Sequence, residues 1–180
     1  TGMELFLLVK DPWSIALTTD HPNAGPFFCY PQIIRLLMDR DYRNYFISLL
    51  PPRAFRGSVL KDLGREYSLY EIAIITRAAQ AKILGLTNKG HLGIGADADV
   101  SVYAPENFGK RQCICRFKHC RRALDFPSWV IKGGEVVVKD GVVLNEAPGI
   151  VFRVAPSHGE SIRDKIREEF EKYYTISFDN

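Results

Sequence analysis

The stretch Leu17-Thr-Thr-Asp20-His21-Pro22-Asn23-Ala-Gly25-Pro26-Phe27 gathers a carboxylate, an imidazole and an amide where proline and glycine must bend the chain. Asp20 is suited to general acid–base work or to ligating a metal, and His21 beside it can do either. Consecutive residues leaving a strand face opposite ways, so at most one of the pair meets a reacting centre, and Asp20 is taken as that one. The apolar run Ile15-Ala16-Leu17 predicts a buried strand that ends where the polar residues begin, the edge at which α/β barrels carry their chemistry. Asp20 is then expected at the carboxyl end of a strand, with its side chain directed into an open cavity. The same residue types also suit a plain turn in which Asp20 and Asn23 hydrogen-bond their own backbone. The residues alone leave both possibilities open.

A second cluster is weaker. Lys110 to Arg122 carries six basic residues and no acidic one, together with Cys113, Cys115, His119 and Cys120. C-x-C-x₃-H-C matches none of the usual structural-zinc spacings, and adjacent His119 and Cys120 point apart on any regular element. With Phe117 as its single aromatic, the segment also lacks the stacking platforms of a nucleic-acid site. A basic surface turn with reduced thiols is therefore expected, with no metal and no nucleic acid. His91 and His158 are expected to be structural.

The elements around these residues follow from periodicity and punctuation. At 180 residues and 46% hydrophobic content the chain can build a real core, and a net charge of +3 is too small to imply a polyanionic partner. No apolar run is long enough to span a bilayer, and the expectation is a cytoplasmic protein with no membrane association. The apolar opening Met3, Leu5, Phe6, Leu8 and Val9 resembles the middle of a packed element, which suggests a piece of a longer protein.

Tyr30 to Asp39, with Pro31 near its start, predicts a helix, and Tyr42 to Leu50 a second one stopped by Pro51-Pro52. Ser68-Leu-Tyr-Glu71 is a capping box, and the helix it opens should run to about Leu84 with Gly85 as its left-handed cap. Gly90, Gly93 and Gly95 precede a strand instead of opening a helix, which removes the amide cradle that a phosphate site needs. Trp129 to Leu144, three β-branched runs separated by Gly133-Gly134 and Asp140-Gly141, predicts a β-meander. Ile150 to Ala155 is a further candidate strand, and Gly159 to Tyr173 a final helix.

Taken in order, Leu17-Thr-Thr-Asp20, then Thr76-Arg-Ala-Ala79-Gln-Ala-Lys82-Ile-Leu-Gly85-Leu, then Gly90-His-Leu-Gly93-Ile-Gly95-Ala-Asp97-Ala-Asp99-Val resemble the metal-dependent amidohydrolase superfamily. The resemblance implies an α/β fold: the C-terminal portion of an amidohydrolase (β/α)₈ barrel, followed by a small β-rich composite domain and a C-terminal helix. On this basis residues 1–85 would be barrel, 86–155 the composite domain and 156–180 the helix and tail.

Within that superfamily, Thr18-Thr-Asp20-His-Pro22-Asn-Ala-Gly-Pro26-Phe, Ser68-Leu-Tyr-Glu71-Ile-Ala-Ile and Tyr173-Tyr-Thr-Ile-Ser-Phe178 are similar to the A-type subunits of formylmethanofuran dehydrogenases. That likeness implies reversible hydrolysis of the N-formyl bond of formylmethanofuran, giving formate and methanofuran, in a complex with other subunits. It implies a binuclear divalent metal centre, most simply zinc, in the full-length protein and none in this chain by itself. Asp20 maps to the carboxylate that ligates metal and moves the proton, and His21 and Asn23 to the substrate loop. The alternatives are the corresponding component of the related formyltransferase/hydrolase complex, or a non-catalytic module that docks other subunits.

Overall fold

Ser68 Oγ accepts the Glu71 N–H at 3.2 Å, and Glu71 Oε2 accepts the Ser68 N–H at 2.8 Å, the reciprocal pairing expected of a capping box. The helix that follows, α4, comprises an α-helical stretch Leu69–Ala73, a π-helical stretch Ile74–Ala78 and a second α-helical stretch Ala79–Ile83. At its far end the Leu86 N–H reaches the Ala81 carbonyl and the Gly85 N–H the Lys82 carbonyl. Gly85 is in the left-handed region at φ +69, which completes a Schellman cap. Three further helices precede it: α1 (Gly2–Leu8), α2 (Tyr30–Met38) and α3 (Arg40–Ser48).

The computed structural model describes residues 2–103, 124, 127–153, 159–175 and 177–178. The basic cluster with Cys113, Cys115, His119 and Cys120 lies outside the described residues, as does His158. The chain forms two compact units, Thr1–Ala147 and Pro148–Asn180. No helix among the described residues is long and apolar enough to cross a membrane.

In the first unit the core joins Leu7 of α1, Leu17, Ile34 and Leu37 of α2, Tyr67, and Ile72 and Ile75 of α4. Burying each of these side chains is worth about 1.5–3 kcal/mol. A buried cation also holds the fold together. Arg43 of α3 donates to the carbonyls of Leu36, Leu63 and Arg65 at 2.8–3.1 Å, which pins the irregular chain before α4 onto the α2–α3 pair. Burial pushes its guanidinium pKa down. Arg65 in turn donates to the carbonyls of Phe6 and Val9 at the end of α1 and pairs with Glu71 at 2.8 Å.

The meander forms as its turns predict. Strands β1 (Val100–Val102), β2 (Trp129–Lys132), β3 (Glu135–Lys139) and β4 (Val142–Val143) make one antiparallel sheet in chain order. Val100 faces Ile131, Val130 faces Val138, and Val138 faces Val143. Both tight turns have two residues at positive φ, Gly133 and Gly134 in one and Asp140 and Gly141 in the other, as type I′ hairpins require. The second unit holds α5 (Glu160–Tyr173), with Phe170 stacked on Tyr174 at 4.5 Å.

Two expected strands are absent among the described residues. Residues 150–153 form no strand, and Val154 and Ala155, the rest of that candidate, lie outside the described residues. Ile15 to Leu17 is extended but joins no strand, because the Leu17 N–H is taken by the Ile75 carbonyl of α4. The sheet that the described residues contain is the antiparallel one, and no parallel strand is among them.

Gly90 shows how closely the loop after α4 packs back on that helix. At φ +79, a Cβ there would lie 2.7 Å from Ala81 Cβ and 3.1 Å from Ala78 Cα, whereas at Gly95, with φ +87, it would meet nothing within 4 Å. Gly90→Ala should therefore combine backbone strain with overpacking, about 2–5 kcal/mol, and Gly95→Ala should show strain alone, about 1–2 kcal/mol. Urea unfolding midpoints at constant slope check this, and equal midpoints for the two variants would refute the close packing.

Candidate functional site

The π turn in α4 creates the contact that places Asp20. The Ala79 N–H reaches back five residues to the Ile74 carbonyl, so the Ile75 carbonyl is left to accept from outside the helix ladder. It accepts the Leu17 N–H at 2.8 Å and Gln80 Nε2 at 2.6 Å. Gln80 Nε2 also donates to the Leu17 carbonyl at 3.2 Å. Both backbone polar groups of Leu17 thus end on α4, and its buried side chain lies in the core.

Three residues on, the Asp20 N–H donates to Thr18 Oγ1 at 3.2 Å, and the Asp20 carbonyl accepts the Ala24 N–H at 3.1 Å. Asp20 adopts φ +50, a left-handed conformation that aspartate tolerates better than most residues, and the peptide between His21 and Pro22 is cis. Asp20, His21 and Asn23 are all exposed. The His21 ring meets Phe27 edge-on at 5.1 Å, and Phe27 meets Phe28 at 6.3 Å, so the loop presents an aromatic rim.

A cleft of about 1210 Å³ opens along α4, and Trp13, Leu17, Thr18, Tyr30, Gln80, His91 and Tyr103 are among its lining residues. Asp20 is not among the residues that line this cleft. The left-handed turn at Asp20 takes the chain out of its extended path just after Thr18.

The glycine-rich loop beyond Gly85 is held by charge. Lys89 Nζ lies 2.6 Å from Asp97 Oδ2 and 2.8 Å from Asp99 Oδ2, and Lys132 Nζ of β2 lies 2.6 Å from that same Asp99 oxygen. The Gly133 N–H donates to Asp99 Oδ1 at 2.9 Å. His91 is a turn residue, as expected: Nε2–H donates to the Thr87 carbonyl at 2.9 Å, and Nδ1 accepts the Gly93 N–H at 3.0 Å. Its two ring nitrogens are thereby spent on backbone.

Cys29 is a half-buried free thiol. Among the described residues no three His, Cys, Asp or Glu side chains converge as a metal site. The sequence reading missed Gln80. Its signal was a lone polar residue in Ala78-Ala79-Gln80-Ala81, on a helix face that otherwise packs.

A four-stranded antiparallel sheet follows the helix and the glycine-rich Asp97-Ala98-Asp99 turn, and Asp20 is delivered by a segment clamped to that helix. Residues 3–138 match the model of the Amidohydrolase family, and the chain belongs to that family. It is 43% identical over 188 residues to the protein FwdA of Methanocaldococcus jannaschii, an alignment that covers 99% of this chain and 32% of FwdA. It is 43% identical over 143 residues to the Fhc A-type subunit of the formyltransferase/hydrolase complex of Methylorubrum extorquens, covering 79% of this chain and 24% of that protein. Among solved structures, a chain of the formyltransferase/hydrolase complex FhcABCD from Methylorubrum extorquens, crystallised with methylofuran, superposes with a TM-score of 0.74 at 35% identity. That match covers 99% of this chain and 31% of the other. The chain therefore spans a third or less of the length of the relatives it matches. The likeness to the A-type subunits of formylmethanofuran dehydrogenases noted from residues 18–27, 68–74 and 173–178 extends along nearly the whole chain.

The charge network fixes a pH dependence. Hydrogen bonds from Lys132, then Lys89, hold the Asp99 carboxyl well below its usual pKa, and Lys89 followed by Asn88 does the same for Asp97. A depressed folded pKa gives stability that is present above the unfolded value, about 3.9, and is lost as pH falls through the folded one. For Lys89 the sign reverses: Asp97 and Asp99 raise its pKa, so its contribution persists below about pH 10 and fades as pH rises beyond that. Thermal melts should lose stability below about pH 4, and Asp99→Asn should flatten that acid limb while lowering the melting temperature at neutral pH. An unchanged acid limb in the variant would rule out the network as its source.

Proposed function

We propose that this chain is part of an A-type subunit of a formylmethanofuran dehydrogenase, a cytoplasmic enzyme. Its reaction is the reversible hydrolysis of the N-formyl bond of formylmethanofuran to formate and methanofuran. The observation that carries the reading is the 43% identity to FwdA across 99% of this chain, which takes in the Asp20 loop. Support also comes from the loop itself, which offers an exposed carboxylate from a segment fixed at Leu17. In the full-length protein the Asp20 segment would continue a barrel strand and the sheet would belong to a composite β-domain.

In this reading Asp20 accepts a proton from the attacking water and returns it to the leaving amine, which balances hydrolysis without net proton change. His21 and Asn23 shape the substrate loop, and the rim of Phe27 and Phe28 gives the aromatic body of a furan substrate an apolar edge. Asp20 would also ligate one metal of a binuclear divalent centre. The described residues do not complete such a centre, since no three metal-binding side chains converge among them. The other donors would come from outside the described residues.

The chemistry of the formyltransferase/hydrolase relatives is the neighbouring possibility, favoured by the superposition on a complex crystallised with methylofuran. A docking role for other subunits is compatible with both. The exposed apolar run Val142, Val143 and Leu144, and Ile162 and Ile166 of α5, would supply its contacts.

Asp20→Asn in the full-length protein tests the assignment. Asparagine also tolerates the left-handed conformation, so the turn survives while the proton acceptor is lost. The expected result is a kcat lower by about 10² to 10⁴, with fold retained and metal content measured in parallel. Near-normal turnover at full metal occupancy would make Asp20 a turn residue only. The 180-residue chain by itself is expected to bind no stoichiometric zinc, because Asp20 is its one carried-over ligand and the cysteine spacing is wrong. Elemental analysis finding one zinc per chain, lost in Cys113→Ser/Cys115→Ser, would reverse that.

A further inference from the structure

We propose that Gln80 is a positioning residue for Asp20, acting through the backbone of Leu17; the inference rests on the role of Asp20 proposed above. Nε2 lies 2.6 Å from the Ile75 carbonyl and 3.2 Å from the Leu17 carbonyl, so both amide hydrogens are spent on acceptors. Two carbonyl neighbours fix which way the amide faces, because the reverse orientation would set oxygen against oxygen. Oε1 is buried with no hydrogen-bond partner among the described residues. The side chain is therefore placed for its donors at the expense of its acceptor. A helix-stabilising role would not require that, since glutamine on a helix surface leaves both ends to water.

The consequence for Asp20 is geometric. The Leu17 N–H goes to Ile75 at 2.8 Å and its carbonyl is held by Gln80, so the last fixed residue before the loop is gripped on both sides by one helix. Between it and Asp20 stand only Thr18 and Thr19, and Thr18 Oγ1 accepts the Asp20 N–H at 3.2 Å. A rotation of the Leu17 peptide is carried through this short turn to the Asp20 carboxylate. Removing Gln80 leaves the Leu17 N–H bond and the apolar core in place, so the fold should survive while the aim of Asp20 is lost.

The test uses the full-length protein in its assembled complex with Gln80→Met and Gln80→Glu, which keep the length of the side chain but lack donors at neutral pH. Misplacing a catalytic group by about 1 Å can cost about 10²-fold, so kcat should fall about 10- to 100-fold with KM changed less than about threefold. On an Asp20→Asn background, adding Gln80→Met should cost less than about threefold, because two groups acting as one unit are not additive. Wild-type kcat in Gln80→Met, or a penalty undiminished on the Asp20→Asn background, overturns the inference. So does failure of both Gln80 variants to fold, which would make Gln80 a folding residue. The two levels separate cleanly. Normal turnover in Asp20→Asn removes the role of Asp20 itself, whereas an inactive Asp20→Asn with fully active Gln80 variants removes only the role of Gln80.

Discussion

A carbonyl released from a buried helix must find a donor, and in this chain that requirement organises the site. Leaving the Ile75 oxygen unpaired would cost about 1–3 kcal/mol, a large share of the stability of a domain this size. The π turn creates the vacancy and the Leu17 N–H and Gln80 amide fill it. An extended segment that would otherwise need a neighbouring strand is thereby attached to a helix. Everything that keeps α4 rigid also keeps Leu17 in place: the Ser68–Glu71 box at one end, the Gly85 cap at the other, and Ile72 and Ile75 in the core between.

Polar groups inside the first unit act mainly as ties between irregular segments, while apolar burial supplies most of the free energy. Three carbonyls on the buried Arg43 contribute about 1.5–3 kcal/mol each before desolvation of the guanidinium is subtracted. The net gain is therefore small, but removing the arginine would strand three carbonyls at once, so the position is far more costly to lose than it is valuable to hold. Arg65 extends the same logic, neutralising the carbonyl end of α1 and then pairing with the carboxylate that caps α4. Through these two arginines the stretch between α3 and α4 becomes part of the frame without forming a regular element of its own.

What the sequence makes legible here are the features whose causes are local. The capping box, the left-handed Gly85, the I′ turns at Gly133-Gly134 and Asp140-Gly141, and the boundaries of α2 each depend on residues within a few positions of one another, whereas α3 starts and ends two residues earlier than its periodicity predicts because Asp39 caps it. The partner of Ile15-Ala16-Leu17, which joins no strand among the described residues, is illegible for the opposite reason. The apolar run correctly signals burial, but whether a buried extended segment meets a strand or a helix depends on a partner sixty residues away. The π turn is equally silent in the sequence, because it arises from one shifted bond at Ala79 and no residue type demands it. Gln80 and Arg43 escape a sequence reading because periodicity assigns faces, and a polar side chain on a packed face carries no mark of which distant carbonyls it serves.

The opposition between a turn and a catalytic site at Asp20 dissolves once the geometry is considered. A left-handed residue with its N–H on Thr18 and its carbonyl on Ala24 is a turn residue by every local measure. Those bonds use only the backbone. Thr18 supplies through its hydroxyl the capping that the Asp20 side chain would supply in an ordinary Asx turn, so the turn leaves the carboxylate free of that duty. Two adjacent threonines before the aspartate then acquire distinct roles, the exposed one closing the turn and the buried one anchoring its base. A loop built this way fixes the direction of a side chain without consuming its functional group, which is the condition that a proton-transferring carboxylate has to meet.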